Sequence, residues 1–577
     1  MLKLTKYLKP YIWQLVLIFA FAVGQTAANL YLPNLMSDIV NKGIAGFNTA
    51  FIWKTSGVMI IVTIGGTICA LLGTFFSSQV AVGMVSKIRA DIFERVQSFS
   101  LHEFDQIGTA SLITRTTNDT SQIQQVMVMV LGLLLTAPIT LVVGIILALD
   151  QDVSLSWILI VAISILVAFI IFLLFKAVPL FSVIQVKLDK LNLILGENLT
   201  GVRVIRAFDR IKSEEERFDK ANHEVTNVAI RVNQLVASMM PLMMLLINLS
   251  SVGIIWFGSI RVDNGNLQTG SMFAFLQYAI QILFSLLMVA MMFVMIPRAE
   301  ASAKRINKIF DMEPEIIDKN NLKPKEMHGY VEFQNVTFSY HGAEAPAISN
   351  ISFKATPGQV TAIIGSTGSG KSTLVNLVPR FYDTSSGKVL VDGVDTRDMT
   401  QHELRSKIGF IPQKAILFSG SIKDNLRYGK EDATDKEIEH AAEIAQATEF
   451  IKLMPNGFDS YISQGGTNVS GGQMQRLSIA RALIRKPEIY IFDDTFSALD
   501  FKTDAKLREA LKGETKNSTV LIVAQRVSTV VDADQIIVLD EGKIVGIGKH
   551  HELLNTCEVY KSIVSSQLSQ AEIENET

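Results

Sequence analysis

Residues 365–372 have the types and the spacing of a phosphate-binding loop. They read Gly-Ser-Thr-Gly-Ser-Gly-Lys-Ser and fit the pattern G-x-x-x-x-G-K-[ST]. In such a loop the glycines let backbone N–H groups point at phosphate oxygens, Lys371 adds a full positive charge, and the Ser372 hydroxyl can hold magnesium. A chance Gly/Ser-rich turn is the alternative. The flanking sequence favours the phosphate site, because 360–364 predicts a buried strand and 372–378 a helix.

Two adjacent carboxylates end the apolar stretch 487–494 and form a second candidate for chemistry. If this stretch is a parallel strand adjacent to the phosphate loop, Asp493 lies near the magnesium ion. Asp494 then occupies a position where a general base or a water-orienting carboxylate can act.

A second anion-binding helix end is predicted at residues 469–473, which read Val-Ser-Gly-Gly-Gln before a helical pattern over 474–484. Two such ends in one chain suggest a nucleotide held between two copies of the domain. Tyr340 lies upstream of the phosphate loop and could stack on an adenine ring. A tyrosine at a strand end more often simply packs, so both interpretations stay open.

The elements that must position these residues fall into two halves of different composition. The chain has 577 residues, of which 49% are hydrophobic and 19% charged, and its mean hydropathy is +0.32. The apolar excess lies almost entirely before residue 300, which predicts a membrane half followed by a soluble half. The net charge of −2 gives no electrostatic case for nucleic acid. Cys69 and Cys557 lie in different halves, so a structural disulfide is not expected.

Six stretches are long and apolar enough to cross a bilayer, which takes roughly 20 residues each. Basic residues cluster before the first span and in the long connections after the second and the fourth. By the positive-inside rule, both termini and the soluble half are therefore expected in the cytoplasm, with the chain in the inner or plasma membrane. No cleavable signal peptide is visible. The predicted spans are about 11–32, 58–80, 126–149, 155–175, 235–257 and 272–296.

The two inner connections are long, polar and helix-patterned, and each contains a short turn with an apolar tip, about 106–115 and 200–208. These tips are either docking contacts or ordinary loops. The spans contain no Asp, Glu, Lys, Arg or His, which argues against ion coupling within the chain. The last two of the six predicted spans are rich in methionine. A few polar side chains serve either a cavity or helix–helix contacts, namely Gln25, Asn29, Asn248 and Gln281.

The order of these motifs resembles that of ATP-binding cassette (ABC) transporters, and the six-span half resembles their exporter type. The resemblance covers essentially the whole chain. It implies a multi-domain fold: an all-α six-helix transmembrane domain with long cytoplasmic helical extensions (1–310), a linker (311–328), and an α/β P-loop ATP-binding cassette domain (329–577). The two apolar tips then correspond to the coupling helices of the family.

The resemblance also assigns roles to individual residues. It implies Walker A at 365–372, a Q-loop at 411–413, a signature motif at 469–473 and a D-loop at 497–500, with Asp493 closing Walker B. Magnesium would be held by Ser372, Gln413 and Asp493. The residues implied for ATP binding are Tyr340, Gly365, Ser366, Thr367, Gly368, Ser369, Gly370, Lys371, Ser372, Thr373, Gln413 and Asp493, and, toward a partner's nucleotide, Ser470, Gly471, Gly472 and Gln473.

Two catalytic positions depart from the family pattern. Asp494 stands where glutamate is usual, and Gln525 stands where the switch histidine is usual. Aspartate is one methylene shorter, and a misplacement of about 1 Å can cost on the order of 100-fold in rate. Glutamine cannot carry the charge of a protonated histidine. With Gln413 as the third catalytic candidate, the site is predicted to bind ATP but hydrolyse it slowly; the alternative is that these residues still suffice. A further departure is Gln464, where glutamate is frequent.

This pattern resembles one subunit of the bacterial heterodimeric multidrug exporters. It implies a half-transporter for hydrophobic compounds, paired with a different half whose competent site is completed by this chain's signature motif. Two alternatives remain: a homodimeric exporter of lipid or peptide, and an ATP-gated channel or regulatory subunit. The composition of the spans admits drugs, dyes, lipids or apolar peptides.

Overall fold

The computed structural model describes residues 2–318 and 328–567, which form two compact units. The first unit contains residues 1–97 and 109–312, and the second contains residues 98–108 and 313–577. The linker predicted at 311–328 lies partly outside the described residues. The helix that precedes it ends at Asp311.

Long helices build the first unit. In chain order, the helices of the N-terminal half are α1 (Ile12–Asp38), α2 (Thr49–Gln97), α3 (Leu101–Ile107), α4 (Thr109–Thr114), α5 (Thr120–Met129), α6 (Thr136–Gln151), α7 (Ser156–Thr200), α8 (Val202–Ala207), α9 (Ile211–Ala237), α10 (Met239–Asp263) and α11 (Thr269–Asp311).

Six helical segments among the described residues are long and apolar enough to cross a membrane. Five of the predicted spans lie inside one of these segments, and the span predicted at 155–175 begins one residue before its segment, Ser156–Thr200. α7 alone has 45 residues, which at about 1.5 Å per residue corresponds to about 68 Å, more than twice the thickness of a hydrocarbon core. The helices are therefore long enough to extend far beyond the membrane. The predicted fold class, a six-helix membrane domain with long helical extensions, is confirmed.

The fifth segment is broken at a point where the sequence pattern showed no clear boundary. α9 ends at Ala237 and α10 begins at Met239. Pro241 lies four residues after Ala237 and has no N–H to donate to the Ala237 carbonyl. The proline therefore explains the break between the polar extension and the apolar span.

The first inner connection differs in detail from the sequence-based expectation. Its short helix α3 begins after Ser100, where a capping box with Glu103 satisfies the first turn, and ends at Ile107, before Gly108 with a φ of +78°. Residues 98–108, including α3, group with the second unit, whereas 109–115 belong to the first unit. The segment that leaves the helical unit thus begins before the predicted tip at 106–115. In the second inner connection, α8 lies within the predicted tip at 200–208.

The second unit contains a six-stranded and a four-stranded sheet within residues 328–567, in addition to a two-stranded pair. The strands are β1 (Val331–Phe338), β2 (Ile348–Ala355), β3 (Val360–Gly365), β4 (Ser386–Val391), β5 (Val394–Asp395), β6 (Ile408–Ile411), β7 (Gly420–Ser421), β8 (Tyr461–Ile462), β9 (Ile489–Asp493), β10 (Thr519–Val523), β11 (Gln535–Asp540) and β12 (Lys543–Gly548).

The large sheet has the order β12-β11-β3-β10-β9-β6, and all its pairings except the antiparallel pair β11–β12 are parallel. Both faces are buried: Ala362 and Ile364 of β3 pack in one apolar cluster, whereas Ile363 packs in the other. Burial on both faces explains why the strands read as continuous apolar runs. Because parallel strands end at a common edge, this order fixes which side chains can meet.

The strand order shows how Asp493 comes to lie beside the phosphate loop. β9, which carries Asp493, is not adjacent to β3, because β10 pairs with both of them. Asp493 still reaches the phosphate loop, since the carboxyl ends of all three strands lie at one edge of the sheet. Sequence alone does not reveal which strand intervenes.

Helices pack on both faces of the large sheet. They are α12 (Lys371–Asn376), α13 (Gln401–Ser406), α14 (Ile422–Arg427), α15 (Asp435–Ile444), α16 (Thr448–Leu453), α17 (Gly471–Ile484), α18 (Phe501–Glu514), α19 (Val527–Val530), α20 (His550–Thr556) and α21 (Glu558–Ser565).

Candidate functional site: an ATP-binding edge of the large sheet

The phosphate loop joins β3 to α12, as its sequence predicts. Gly370 is the N-cap of α12 and has a φ of +95°, a conformation that glycine adopts without strain. A Cβ at this position would lie 2.6 Å from a side-chain carbon of Ile348 and 2.8 Å from the carbonyl oxygen of Ala347. Only glycine therefore fits this close approach between the loop and the neighbouring strand.

Lys371 is held against the loop itself. Its ammonium donates hydrogen bonds to the carbonyl oxygens of Gly365 at 2.9 Å and Ser366 at 2.7 Å. Burial lowers the pKa of Lys371, and the nearby charges of Asp493 and Asp494 oppose that shift. The positive charge is therefore poorly hydrated and close to the loop, where an anionic phosphate would stabilise it.

The residues predicted to hold magnesium supply a set of oxygen atoms that suits the ion. The Ser372 hydroxyl donates to an Asp493 carboxylate oxygen at 2.8 Å, so both oxygens lie at one point of the sheet edge. Gln413 bonds through its amide nitrogen, which leaves its amide oxygen free to coordinate. Hydroxyl, carboxylate and amide oxygens are ligands that Mg²⁺ accepts. Ser372, Asp493 and Gln413 would hold such an ion, which would supply positive charge to offset that of the phosphates.

The three catalytic candidates are joined by hydrogen bonds to the carboxylate of Asp494. Gln413 and Gln525 both donate an amide N–H to the same carboxylate oxygen of Asp494, at 3.2 and 2.8 Å. The side chain is only 7% exposed. The backbone of Asp494 has a φ of +47°, and its N–H donates to the carbonyl of Val523 at 3.0 Å. The structure thus brings together all three residues that sequence reasoning selected from separate segments.

The electrostatics of the two carboxylates follow from their burial. Burial raises the pKa of Asp494, and a hydrogen bond from Gln413 partly offsets this rise. Burial also raises the pKa of Asp493, where the hydrogen bond from Ser372 acts in the opposite direction. Two weakly hydrated carboxylates at one edge favour a cation between them and the phosphates.

Tyr340 lies beside the loop rather than away from it. Its hydroxyl is 3.0 Å from the hydroxyl of Thr373, and its ring packs edge-on against Phe338 and Tyr382. The residue remains 40% exposed. One edge is therefore fixed by aromatic neighbours, and part of the ring surface remains accessible to a purine base.

Replacing Tyr340 with alanine should weaken ATP binding by at least about 5-fold, because a stacked aromatic pair contributes roughly 1 kcal/mol beyond its buried area. Tyr340→Phe should keep most of the affinity, since it loses only the hydroxyl contact with Thr373. Tyr428→Ala, at another exposed tyrosine, serves as the control. The measurement is equilibrium binding of a fluorescent ATP analogue, and equal affinities of Tyr340→Ala and Tyr428→Ala would show that Tyr340 only packs.

The signature residues form the start of α17. Ser470 is the N-cap and accepts from the N–H of Gln473, whose side chain accepts in return from the Ser470 N–H. A Cβ at Gly471 would meet nothing within 4 Å. Within residues 328–567, no hydrogen bond joins this helix end to the phosphate loop. The helix end is thus separate from the chain's own loop, and its role in anion binding stays a prediction.

Three contacts around the site escaped the sequence analysis. Gln567 accepts from the N–H of Val527 and donates to the carbonyl of Gln525, each at 2.8 Å. Gln475 of α17 donates to the carbonyl of Pro412 at 3.3 Å, next to Gln413. A sequence shows polar side chains at these positions but not their partners, because the partners are distant in the chain.

α3 contributes a further contact within the second unit. The rings of His102 and His341 lie 4.8 Å apart, and His341 follows Tyr340 directly. The capping box at Ser100 and Glu103 was the signal in the sequence that could have located this helix.

Comparison with known proteins decides the family. Residues 15–296 match the ABC transporter transmembrane region, and residues 348–497 match the ABC transporter family model. The chain is 41% identical over 575 residues to an uncharacterized ABC transporter ATP-binding protein of Mycobacterium tuberculosis, an alignment that covers 99% of this chain and 98% of that protein. The chain belongs to the ABC transporter family.

Other ABC relatives carry more specific names. An ATP-dependent lipid A-core flippase of Desulfotalea psychrophila is 34% identical over 96% of both chains. A Bacillus subtilis protein named provisionally for multidrug export is 32% identical over 98% of this chain and 99% of that one. The fold is similar to that of a bacterial Atm1-family ABC exporter with ATP bound, with a TM-score of 0.80, 24% identity, and coverage of 98% and 99%. This half-transporter thus has the exporter fold.

Proposed function

We propose that this ABC half-transporter is one subunit of an ATP-driven exporter of hydrophobic compounds, and that it acts in a heterodimer. In this account its own Walker site binds ATP but hydrolyses it poorly, and its signature motif completes the competent site of the partner. The fold similarity to an exporter and the relatives named for lipid flipping and multidrug export support the direction of transport and the class of substrate.

The observation that carries the proposal is the environment of Asp494. Its carboxylate accepts from two amides, Gln413 and Gln525, where a hydrolytic site requires a carboxylate that can reach the attacking water. A neutral amide at 525 offers no positive charge to the phosphate that becomes more negative during transfer. Both features slow the chemical step.

Binding is expected to remain strong at the same site. Lys371, Ser372, Asp493 and Tyr340 are all present and adjacent to the loop. None of their contacts depends on Gln525. ATP that stays bound without being hydrolysed would hold the two nucleotide-binding domains near each other, while the partner's site supplies the turnover.

The second inner connection is the best candidate for transmitting this movement. No residue of α8 is buried, and Val204 and Phe208, within and just after it, are 61% and 74% exposed. Exposed apolar side chains at the tip of a helical hairpin are typical of a docking surface. We infer that this tip docks on the partner's nucleotide-binding domain.

Replacing Phe208 with aspartate should abolish the stimulation of ATPase activity by transported compounds, because a charge at the tip prevents apolar docking. Residual stimulation is expected to be under about 10% of the wild-type value, since burying an unpaired charge in such a contact costs on the order of several kcal/mol. Phe47→Asp, at an exposed loop phenylalanine between α1 and α2, is the matched control. Full stimulation in Phe208→Asp would exclude this tip from coupling.

Transport itself is tested in inside-out vesicles that contain the assembled transporter. ATP-dependent accumulation of a hydrophobic dye against its gradient is expected, and it should be lost with a non-hydrolysable ATP analogue. A flux that only dissipates a gradient when ATP is added would instead identify an ATP-gated channel. A homodimer with two active sites would contradict the asymmetric part of the proposal and leave the export part intact.

A further inference from the structure

We propose that a cavity in the membrane unit is a binding site for uncharged amphiphiles that donate hydrogen bonds, such as amides and alcohols, and that it excludes phosphorylated lipids. The inference rests on the proposed function, because it names the class of compound that such an exporter would take. It goes further in predicting a discrimination that an apolar surface alone would not give.

The cavity lies among α1, α2, α6 and α11 and has a volume of about 640 Å³. This size falls in the range of sites for drug-sized ligands, roughly 300–1,000 Å³. Met59 and Phe284 contribute apolar surface, and the amides of Asn29, Gln277 and Gln281 lie on facing helices. A few polar groups on a largely apolar wall are typical of a site that fixes the orientation of its ligand.

No side chain lining the cavity carries a charge. The sequence of the surrounding helices is also uncharged near the cavity: residues 12–37, 55–86, 136–149 and 269–297 contain no Asp, Glu, Lys, Arg or His. A phosphate or carboxylate in this cavity would lose its hydration without gaining an ionic partner, and a cation would meet the same penalty. The cavity therefore favours uncharged ligands.

The orientation of the Gln281 amide is fixed by a proline. Pro33 has no N–H, so the helical hydrogen bond to the carbonyl of Asn29 is missing. The amide nitrogen of Gln281 donates to this carbonyl at 3.3 Å in its place. One N–H of the amide is used in this bond. The amide oxygen of Gln281 is left as an acceptor, and it is buried without a hydrogen-bond partner among the described residues. A ligand N–H or O–H that reached this oxygen would satisfy it.

Two hydroxyls in the cavity wall also offer lone pairs to a ligand, because their protons are already used. The Ser285 hydroxyl donates to the carbonyl of Ile282 at 2.8 Å, and the Thr136 hydroxyl donates to the carbonyl of Leu133 at 2.8 Å. Their protons are used within their own segments, which leaves lone pairs toward other partners. Gln281, Ser285 and Thr136 thus all present acceptors. A ligand that donates hydrogen bonds would satisfy these three groups, whereas an ionised phosphate offers them no donor.

The test measures direct binding to the assembled transporter in detergent, without ATP, by the change in dansyl emission. The probes are dansyl-Leu-Phe-amide, the same peptide with a free carboxylate, and its fully N-methylated form, with unlabelled lipid A as competitor. The amide is expected to bind saturably. The free acid and the methylated form should each bind at least about 10-fold more weakly, because one loses hydration and the other loses its donors. Lipid A should not compete.

Two substitutions locate the binding. Gln281→Leu keeps the volume, removes the acceptor, and should weaken binding of the amide by about 10-fold. Ser285→Ala, at a hydroxyl that donates within its own helix, should weaken it by about 3-fold and keeps the test valid if Gln281→Leu misfolds. Gln25→Leu is the matched control, because Gln25 is a span glutamine that does not line the cavity. Its affinity should be unchanged.

Several results would overturn the proposal: no saturable binding of the amide, equal binding of the acid or the methylated peptide, competition by lipid A, or wild-type affinity in both cavity variants. These results are distinct from a failure of the proposed function. ATP-driven dye uptake into vesicles measures the function, whereas binding without ATP measures the cavity. Uptake that persists while the binding predictions fail would retain the exporter and reject this site.

Discussion

Asp494→Glu combined with Gln525→His is expected to raise the single-turnover rate of ATP hydrolysis at this chain's own site by about 100-fold, which corresponds to about 2.7 kcal/mol in activation free energy. The added methylene extends the carboxylate toward the attacking water. The imidazole restores a group that can carry positive charge beside the phosphate. Because Gln413 and Gln525 both donate to one oxygen of Asp494, the two substitutions act on a single cluster.

A pH profile distinguishes this mechanism from a general gain in activity. Only the variant that carries Gln525→His should show an inflection near about pH 6.5, the ordinary pKa of histidine, because an amide does not titrate in this range. Asp532→Glu combined with Gln401→His, at positions outside the site, is the control and should leave the rate unchanged. An unchanged single-turnover rate in the variant with Asp494→Glu and Gln525→His would contradict the account of this site.

The second large effect concerns the signature helix. Under the proposed heterodimer, Gly471→Asp is expected to lower steady-state hydrolysis by the assembled transporter by at least about 100-fold, since it places a carboxylate at the helix end that we propose faces the partner's nucleotide. A Cβ at Gly471 meets nothing within 4 Å, so the loss would not come from a clash inside the chain. Gly513→Asp, at a helical glycine with equally open surroundings, should retain full activity.

Lys371→Ala tests the other nucleotide site, which contains this chain's own phosphate loop. It removes the charge from the chain's own phosphate loop and should reduce ATP binding there, while hydrolysis by the assembled heterodimer falls by less than about 10-fold because the partner's site remains intact. Equal losses from Gly471→Asp and Lys371→Ala would mean that the two sites contribute alike, and the asymmetric account would be wrong.

Those parts of the site could be predicted from sequence whose motif is identified by the residues directly before and after it. The phosphate loop was predicted because a strand, a glycine pattern and a helix follow one another over residues 360–378. Asp493 and Asp494 were predicted because they end a buried apolar run. Each of these signals is local in the chain, and local hydrogen bonding and burial determine the structure there.

The remaining features depend on pairings between distant segments. That β10 lies between β3 and β9 is a property of strand order, which no single strand sequence encodes. The convergence of Gln413 and Gln525 on Asp494 was expected only from the resemblance to a family. The contact of Gln567 with Gln525 joins residues 42 positions apart, and nothing in the sequence near Gln567 marks it.

In the membrane half, too, local features could be predicted from sequence, whereas contacts between distant segments could not. Its six spans were predictable because hydropathy is a local property. The first inner tip begins earlier than expected, because the capping box at Ser100 and Glu103 starts α3 before residue 106. Gln281 was selected in the sequence as a polar residue with two possible roles. The structure shows that it serves both: its nitrogen bonds across to α1, and its side chain lines the cavity.

The steady-state ATPase activity of this chain purified alone, compared with the same chain co-purified with a second half-transporter, tests the central claim most directly. The account predicts near-zero activity for the chain alone despite ATP binding, and strong activity for the pair. Strong activity of the chain alone that Lys371→Ala removes would show that Asp494 and Gln525 are adequate for hydrolysis, and a homodimer would then replace the asymmetric transporter.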